Sequence, residues 1–289
     1  MNPPSRPAPG RPDPGRPDDL GARLAAVDWA AAWYEPWREA GEAVVAEVLR
    51  GASVSAALQA RVARTDAPVC PAFVPQQALP AGEPYEGFIA REQRVPTREN
   101  AHDLFNGLVW LRFPRTKRRL NALHAEWLAR EGVGARRGPV RDAATLFDED
   151  SALLFAPDDL WQALALRHWT ELLSPQGSLR ERWRTQARLL VFGHAALEKL
   201  MTPYKSITVH VWRVDRLFDP GGDLRALDDA LAAMLTSQRL AAKPFVPLPV
   251  LGVPGWWAIN DEPGFYADAG VFRPLRREAG ARGIRATRP

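Results

Sequence analysis

The sequence predicts an α+β fold: a predominantly helical single domain with a small antiparallel sheet or hairpin. Three observations predict it. Apolar residues recur at three- and four-residue spacing through most of the chain. Short apolar and β-branched runs, Ala143–Phe147, Ala152–Phe155 and Ile207–Val214, break that rhythm and read as strands. The composition, 46% hydrophobic and 25% charged over 289 residues, suffices for a sizeable core and carries no fixed-period repeat.

In chain order, residues 1–20 hold seven prolines and no apolar run, so they are expected to form a disordered arm without a secretory signal. The globular domain is expected over 21–274. It opens with Asp28–Leu49, where Trp29, Trp33 and Trp37 recur every four residues as a core stripe and Pro36 predicts either two short helices or a break. Val54–Ala63 reads as a helix, Ala67–Glu83 as a loop and Tyr85–Glu92 as a short strand. Thr97 is the expected N-cap of a helix running to Phe113, and Pro114 should start another over Arg115–Arg130. Past a Gly-rich turn, Ala143–Phe147 and Ala152–Phe155 should pair as a hairpin around Asp148, Glu149 and Asp150. Asp158–Leu173, Leu179–Met201 and Leu224–Leu240 read as helices, with the Ile207–Val214 strand between the last two. Pro244–Asn260 is the longest uncharged stretch, but its four prolines mark an extended packed segment rather than a bilayer helix. The arginine-rich stretch 275–289 reads as a solvated tail.

The net charge of +4 is too small to argue for nucleic acid by itself. A single cysteine, Cys70, excludes an internal disulfide and fits a reducing compartment. No phosphate-cradling glycine loop, paired CxxC, GxSxG elbow or GxGxxG is present, which removes support for the common NTPase, zinc-ribbon, α/β-hydrolase and dinucleotide-binding classes.

Three groups of polar residues sit in otherwise apolar segments. At 100° per residue, Glu99, His102, Asp103, Asn106, Trp110 and Phe113 fall within one arc of their helix. Such groups cost about 1 to 3 kcal/mol each if buried unpaired, so they need partners: either a structural network or a site wall. His194 and Glu198 are one turn apart and could give a nitrogen and an oxygen to a divalent metal, or bond internally. Arg141, Asp142, Thr145, Asp148 and Glu149 offer charges and a hydroxyl on the expected hairpin, and His210 alternates with Thr208 and Trp212 on the later strand. The basic run Arg115-Thr-Lys-Arg-Arg, followed by Arg136, Arg137 and Arg141, could meet phosphate or an RNA backbone, or could be a solvated helix start.

The run Val95-Pro-Thr-Arg-Glu-Asn-Ala-His-Asp-Leu-Phe-Asn-Gly-Leu-Val-Trp-Leu-Arg-Phe-Pro-Arg-Thr-Lys resembles the signature of bacterial proteins grouped as domain of unknown function 3025. Arg141-Asp-Ala-Ala-Thr-Leu-Phe-Asp-Glu, Phe192-Gly-His-Ala-Ala-Leu-Glu-Lys-Leu, Gly255-Trp-Trp-Ala-Ile-Asn, Phe265-Tyr-Ala-Asp and Val271-Phe-Arg-Pro look like later blocks of the same family, in the same order. The resemblance implies a cytoplasmic bacterial protein and no known activity. His102-Asp103 also resembles the paired ligands of the HD phosphohydrolases, but those need an upstream histidine and none precedes His102.

The functional expectation is a metal-dependent hydrolytic pocket for an anionic, phosphate-bearing substrate. His102, Asp103, Asn106 and Asp142 would be catalytic, His194, Glu198 and Asp148 would hold a divalent metal, and Arg141 and Lys117 would bind substrate. The alternative is a non-catalytic binding or scaffold protein. In it the polar groups form an internal network, and Trp256, Trp257 and the basic face engage RNA or a protein, with no membrane association.

Overall fold

The structure, a computed structural model, describes residues 20–63, 70–131, 138–214 and 224–275. The expected N-terminal arm and basic tail therefore lie outside the described residues, except for Leu20 and Leu275. The described chain is mostly helical with two small sheets, an α+β architecture. It divides into two compact units, residues 1–30 with 34–133 and residues 31–33 with 134–289. Among the described residues no helix is long and apolar enough to cross a membrane.

The described chain begins with α1 (Leu20–Ala25) and α2 (Arg38–Leu49), separated by a 3-10 helix, Ala32–Trp37, that contains Pro36. Of the two outcomes expected at Pro36, the structure shows two abutting helical pieces: the 3-10 helix that holds Pro36 runs directly into α2, and residues 28–31, expected to be helical, are not. Trp29 lies before these helical turns, its ring 5.1 Å from Tyr34 and 6.1 Å from Phe105. A Cβ on Gly41 would fall 2.1 Å from that ring, so only glycine lets α2 approach it. In α3 (Val54–Val62) the Ser53 hydroxyl caps Ala56 N–H, and Glu99 Oε2 accepts Val54 N–H at 2.9 Å.

Three expectations for the first unit are corrected. The stretch read as a loop contains β1 (Ala72–Pro75) and a 3-10 turn at Gln76–Ala78. The stretch read as a strand is α4 (Tyr85–Glu92): Tyr85, Phe88 and Ile89 have helical spacing, and Phe88 and Ile89 are buried together. β2 (Arg94–Thr97) pairs parallel with β1, Phe73 opposite Val95, so Thr97 ends a strand instead of capping a helix. The cap of α5 (Ala101–Arg112) is Asn100, whose Oδ1 accepts Asp103 N–H at 2.7 Å. Pro114 opens α6 (Pro114–Glu131) as expected.

The second unit begins with α7 (Pro139–Asp150), running directly into β3 (Ser151–Phe155). This overturns the expected hairpin: Ala143, Ala144 and Phe147 are the buried stripe of a helix. Next come α8 (Asp158–Ala165) and α9 (Trp169–Leu173), one expected helix broken at Arg167, which has a left-handed φ of 58°. The expected helix Leu179–Met201 is instead α10 (Arg180–Gln186), β4 (Arg188–Val191) and α11 (His194–Lys199). β5 (Thr208–Arg213) is the expected strand. The region 224–241 forms α12 (Leu224–Met234) and α13 (Ser237–Ala241), the second capped by Thr236.

The proline-rich segment supplies β6 (Val246–Pro249) at the edge of a four-stranded sheet ordered β4-β3-β5-β6. An edge tolerates Pro247 and Pro249 because the missing N–H groups cost fewer ladder bonds there. The sheet is mixed rather than antiparallel: β3 runs parallel to β5 and antiparallel to β4, and β5 is antiparallel to β6. Beyond β6, Asn260 Nδ2 donates to Leu251 O and Val253 O, and Tyr266 Oη donates to Gly252 O, pinning the extended chain.

Candidate functional site

In the first unit Asp103 and Asn106 occupy α5, a helix buried along most of its surface. Asp103 is 5% exposed. Its Oδ2 accepts Arg98 N–H at 2.7 Å, and its two oxygens meet the Arg98 guanidinium at 3.3 and 3.0 Å. That hydrogen bonding to Asp103 holds the Arg98 guanidinium above its ordinary pKa, against the opposing effect of burial. Asp103 therefore acts as a clasp between the end of β2 and the start of α5.

Asn106 has a different setting. Its Oδ1 accepts Lys117 Nζ at 2.8 Å and its Nδ2 donates to Tyr85 Oη at 3.3 Å. Lys117 is 4% exposed, with its ammonium 5.5 Å from the Trp110 ring centroid. The basic run at the start of α6 is thus not a continuous solvated face, because Thr116 and Lys117 turn inward. His102 is half-buried on the same helix as Asn106. Cys70 donates weakly to Trp110 O, Sγ to O 3.6 Å, and burial pushes its thiol pKa up to about 12. It is a packed thiol rather than a nucleophile.

In the second unit Arg141, Thr145 and Asp148 follow one another at i, i+4 and i+7 on α7, along one face and half-buried. Asp142 is exposed in the first turn, where its charge complements the helix dipole. His194 is buried, and its Nδ1 lies 2.8 Å from Asp148 O, with Asp148 Oδ2 at 3.7 Å. A carbonyl oxygen can only accept, so Nδ1 donates in this contact.

The chain holds this pair together through Gly193. A Cβ there would fall 2.3 Å from Glu149 O, and Phe192 N–H and Gly193 N–H both donate to Ser151 O at 3.0 and 2.9 Å. Glu198, one turn beyond His194, is half-buried, while Lys199 pairs with Asp150 at 2.6 Å. Among the described residues no three His, Cys, Asp or Glu side chains form a group that could hold a metal ion. His210 on β5 has its pKa lowered, first by burial and then by Lys199, with Asp150 opposing.

The family profile described as protein of unknown function (DUF3025) matches residues 71–276. The chain belongs to DUF3025. No curated protein and no solved structure matches it. Every residue expected at the site lies inside the region that matches DUF3025.

Within this DUF3025 chain His102, Asp103, Asn106 and Lys117 belong to the first unit, and Arg141, Asp142, Asp148, His194 and Glu198 to the second. Sequence reasoning missed Arg98, Asn100 and Tyr85 as partners of the α5 residues. For Tyr85 the signal was its helical spacing to Phe88 and Ile89 after Pro84. It also missed that Asp148 engages His194 through its backbone carbonyl, which no side-chain pattern records.

Proposed function

We propose that this DUF3025 chain is a hydrolase of a small anionic substrate, with His194 as general base. The observation that carries the reading is the Nδ1 contact of a buried histidine with Asp148 O at 2.8 Å, the carboxylate of the same residue 3.7 Å away. Such a contact aims the ring, and in the proposed step Nε2 is the nitrogen that takes a proton from water. The Asp148 carboxylate stabilises the imidazolium as it forms. Gly193 keeps the ring's backbone against the α7–β3 junction, so His194 is positioned by rigid elements. Arg141 lies two turns back along α7, about 10 Å from Asp148 by helix rise, where a guanidinium would take the substrate's anionic group. Asp142, exposed at the helix start, and Asp103, engaged with Arg98, have no catalytic part in this scheme. Because no three-ligand group is present among the described residues, the reading uses no metal.

The test is a screen of nitrophenyl esters and phosphoesters with the full chain and three variants, each checked by circular dichroism and melting temperature. His194→Gln should lower kcat about 10²- to 10⁴-fold, the usual contribution of a general base. Asp148→Asn keeps the carbonyl and should lose less, and Arg141→Gln should act on KM. Turnover that is unchanged in a folded His194→Gln protein, or no turnover by the parent on any substrate of the screen, overturns the reading.

A further inference from the structure

A cavity of about 330 Å³ opens in the second unit, away from the Asp148–His194 contact in sequence and lining. Its lining includes Arg167, Trp169, Thr208, Pro247, Val271 and Arg273. That volume lies at the lower end of the range used for small organic ligands, about 300 to 1,000 Å³. Four elements build it: the α8–α9 corner, the start of β5, the edge strand β6 and the loop after Tyr266. Thr208 is opposite Pro249 in the ladder, which brings the hydroxyl-bearing end of β5 and the proline wall to one place.

We infer that this cavity binds an organic oxyanion, its phosphate or carboxylate head taken by Arg167 and Arg273 and its apolar body lying over Trp169, Pro247 and Val271. Elsewhere in the same unit Arg180 pairs with Asp261, Arg182 with Asp159, Arg184 with Glu181 and Arg213 with Asp158. Arg167 and Arg273 are not so paired, and neither is Arg188 on β4. Among the described residues neither Arg167 nor Arg273 meets a carboxylate, and their contacts are to backbone carbonyls. Arg167 Nη1 is 3.5 Å from Arg273 O, and Arg273 Nε donates to Gly270 O at 3.0 Å.

Those carbonyl bonds position the two guanidinium groups without neutralising them, so most of their N–H groups remain to be matched by an anion. Trp169 Nε1 also donates to Arg273 O at 2.9 Å, fixing the aromatic wall to the segment that carries the second arginine. The Thr208 hydroxyl donates to Ser206 O at 3.1 Å, which fixes the two β5-end residues of the lining against each other. Arg167 occupies the left-handed position that follows α8, where glycine is the usual residue, with its N–H on Leu164 O and His168 N–H on Ala163 O. Lys243 takes the same kind of position after α13, so what sets Arg167 apart is that it lines the cavity.

The experiment is isothermal titration calorimetry of the full chain at constant ionic strength with inorganic phosphate, phenyl phosphate and benzoate. Arg167→Gly and Arg273→Gln serve as variants, with thermal melts of each. Saturable binding is expected, tighter for phenyl phosphate than for inorganic phosphate because the ring covers the apolar wall. Each variant should weaken it at least about tenfold, the loss that accompanies one charge-assisted hydrogen bond.

Arg167→Gly should do so without lowering the melting temperature, since glycine adopts φ 58° freely. A response to both phosphates but not benzoate assigns the head as phosphate, and the converse assigns a carboxylate. Absence of saturable binding to all three probes, or equal binding by the parent and both folded variants, overturns the inference. Neither result bears on His194.

Discussion

Asp103 gathers three donors at one corner: the Arg98 backbone N–H and two nitrogens of the Arg98 guanidinium, while its own N–H goes to Asn100. Replacing it with alanine leaves the Arg98 N–H without its acceptor, a loss of about 1 to 3 kcal/mol. The guanidinium adds little, since the Arg98 side chain is 59% exposed and its charge is screened. Asn100→Ala should cost about 1 kcal/mol through the lost cap. Urea midpoints of the two variants check this, and a change below about 0.5 kcal/mol for Asp103→Ala would show that the clasp is not structural. The helical arc that singled out Asp103 and Asn106 was legible from the sequence because 100° per residue is fixed geometry. Their partners were not, because Arg98 and Tyr85 reach them through a strand end and a second helix.

Among the elements, those bounded by proline or by a strong periodic stripe, α3, α5, α6 and β5, were legible, whereas β4 and β1 were not. Leu189, Leu190 and Val191 are as compatible with a buried helix as with a strand, and only pairing with Ala152–Leu154 decides the matter. The acidic run after Phe147 looked like a turn, yet it ends α7 and leads straight into β3.

β5 also carries a pH response. Burial holds the His210 imidazole below its ordinary value, so the unfolded chain binds a proton that the folded protein resists. Stability is therefore full above pH of about 6.5 and falls as pH drops through that value. It levels off once the folded state is protonated as well. Denaturant midpoints at pH 7.5 and 5.5 should differ more for the parent than for His210→Gln, and equal differences would remove His210 as the cause.

At the scale of the whole molecule, the core is unusually rich in indole. Seven of the eleven tryptophans are buried. Native emission should accordingly be blue-shifted and resist acrylamide, with a red shift and full quenching in guanidinium. A native spectrum already resembling the denatured one would contradict the packing.

The order of the four-stranded sheet has a temporal side. The central strand β3 is buried at every residue from Ser151 to Phe155, yet its neighbours β4 and β5 come later in the chain, with α8, α9 and α10 encoded before the first of them. A ribosome adding ~5–20 residues per second releases β3 on the order of seconds before Arg188–Val191 can pair with it. During that interval the nascent chain presents its most apolar strand with both edges unpaired, which makes this segment the natural target for a chaperone during synthesis.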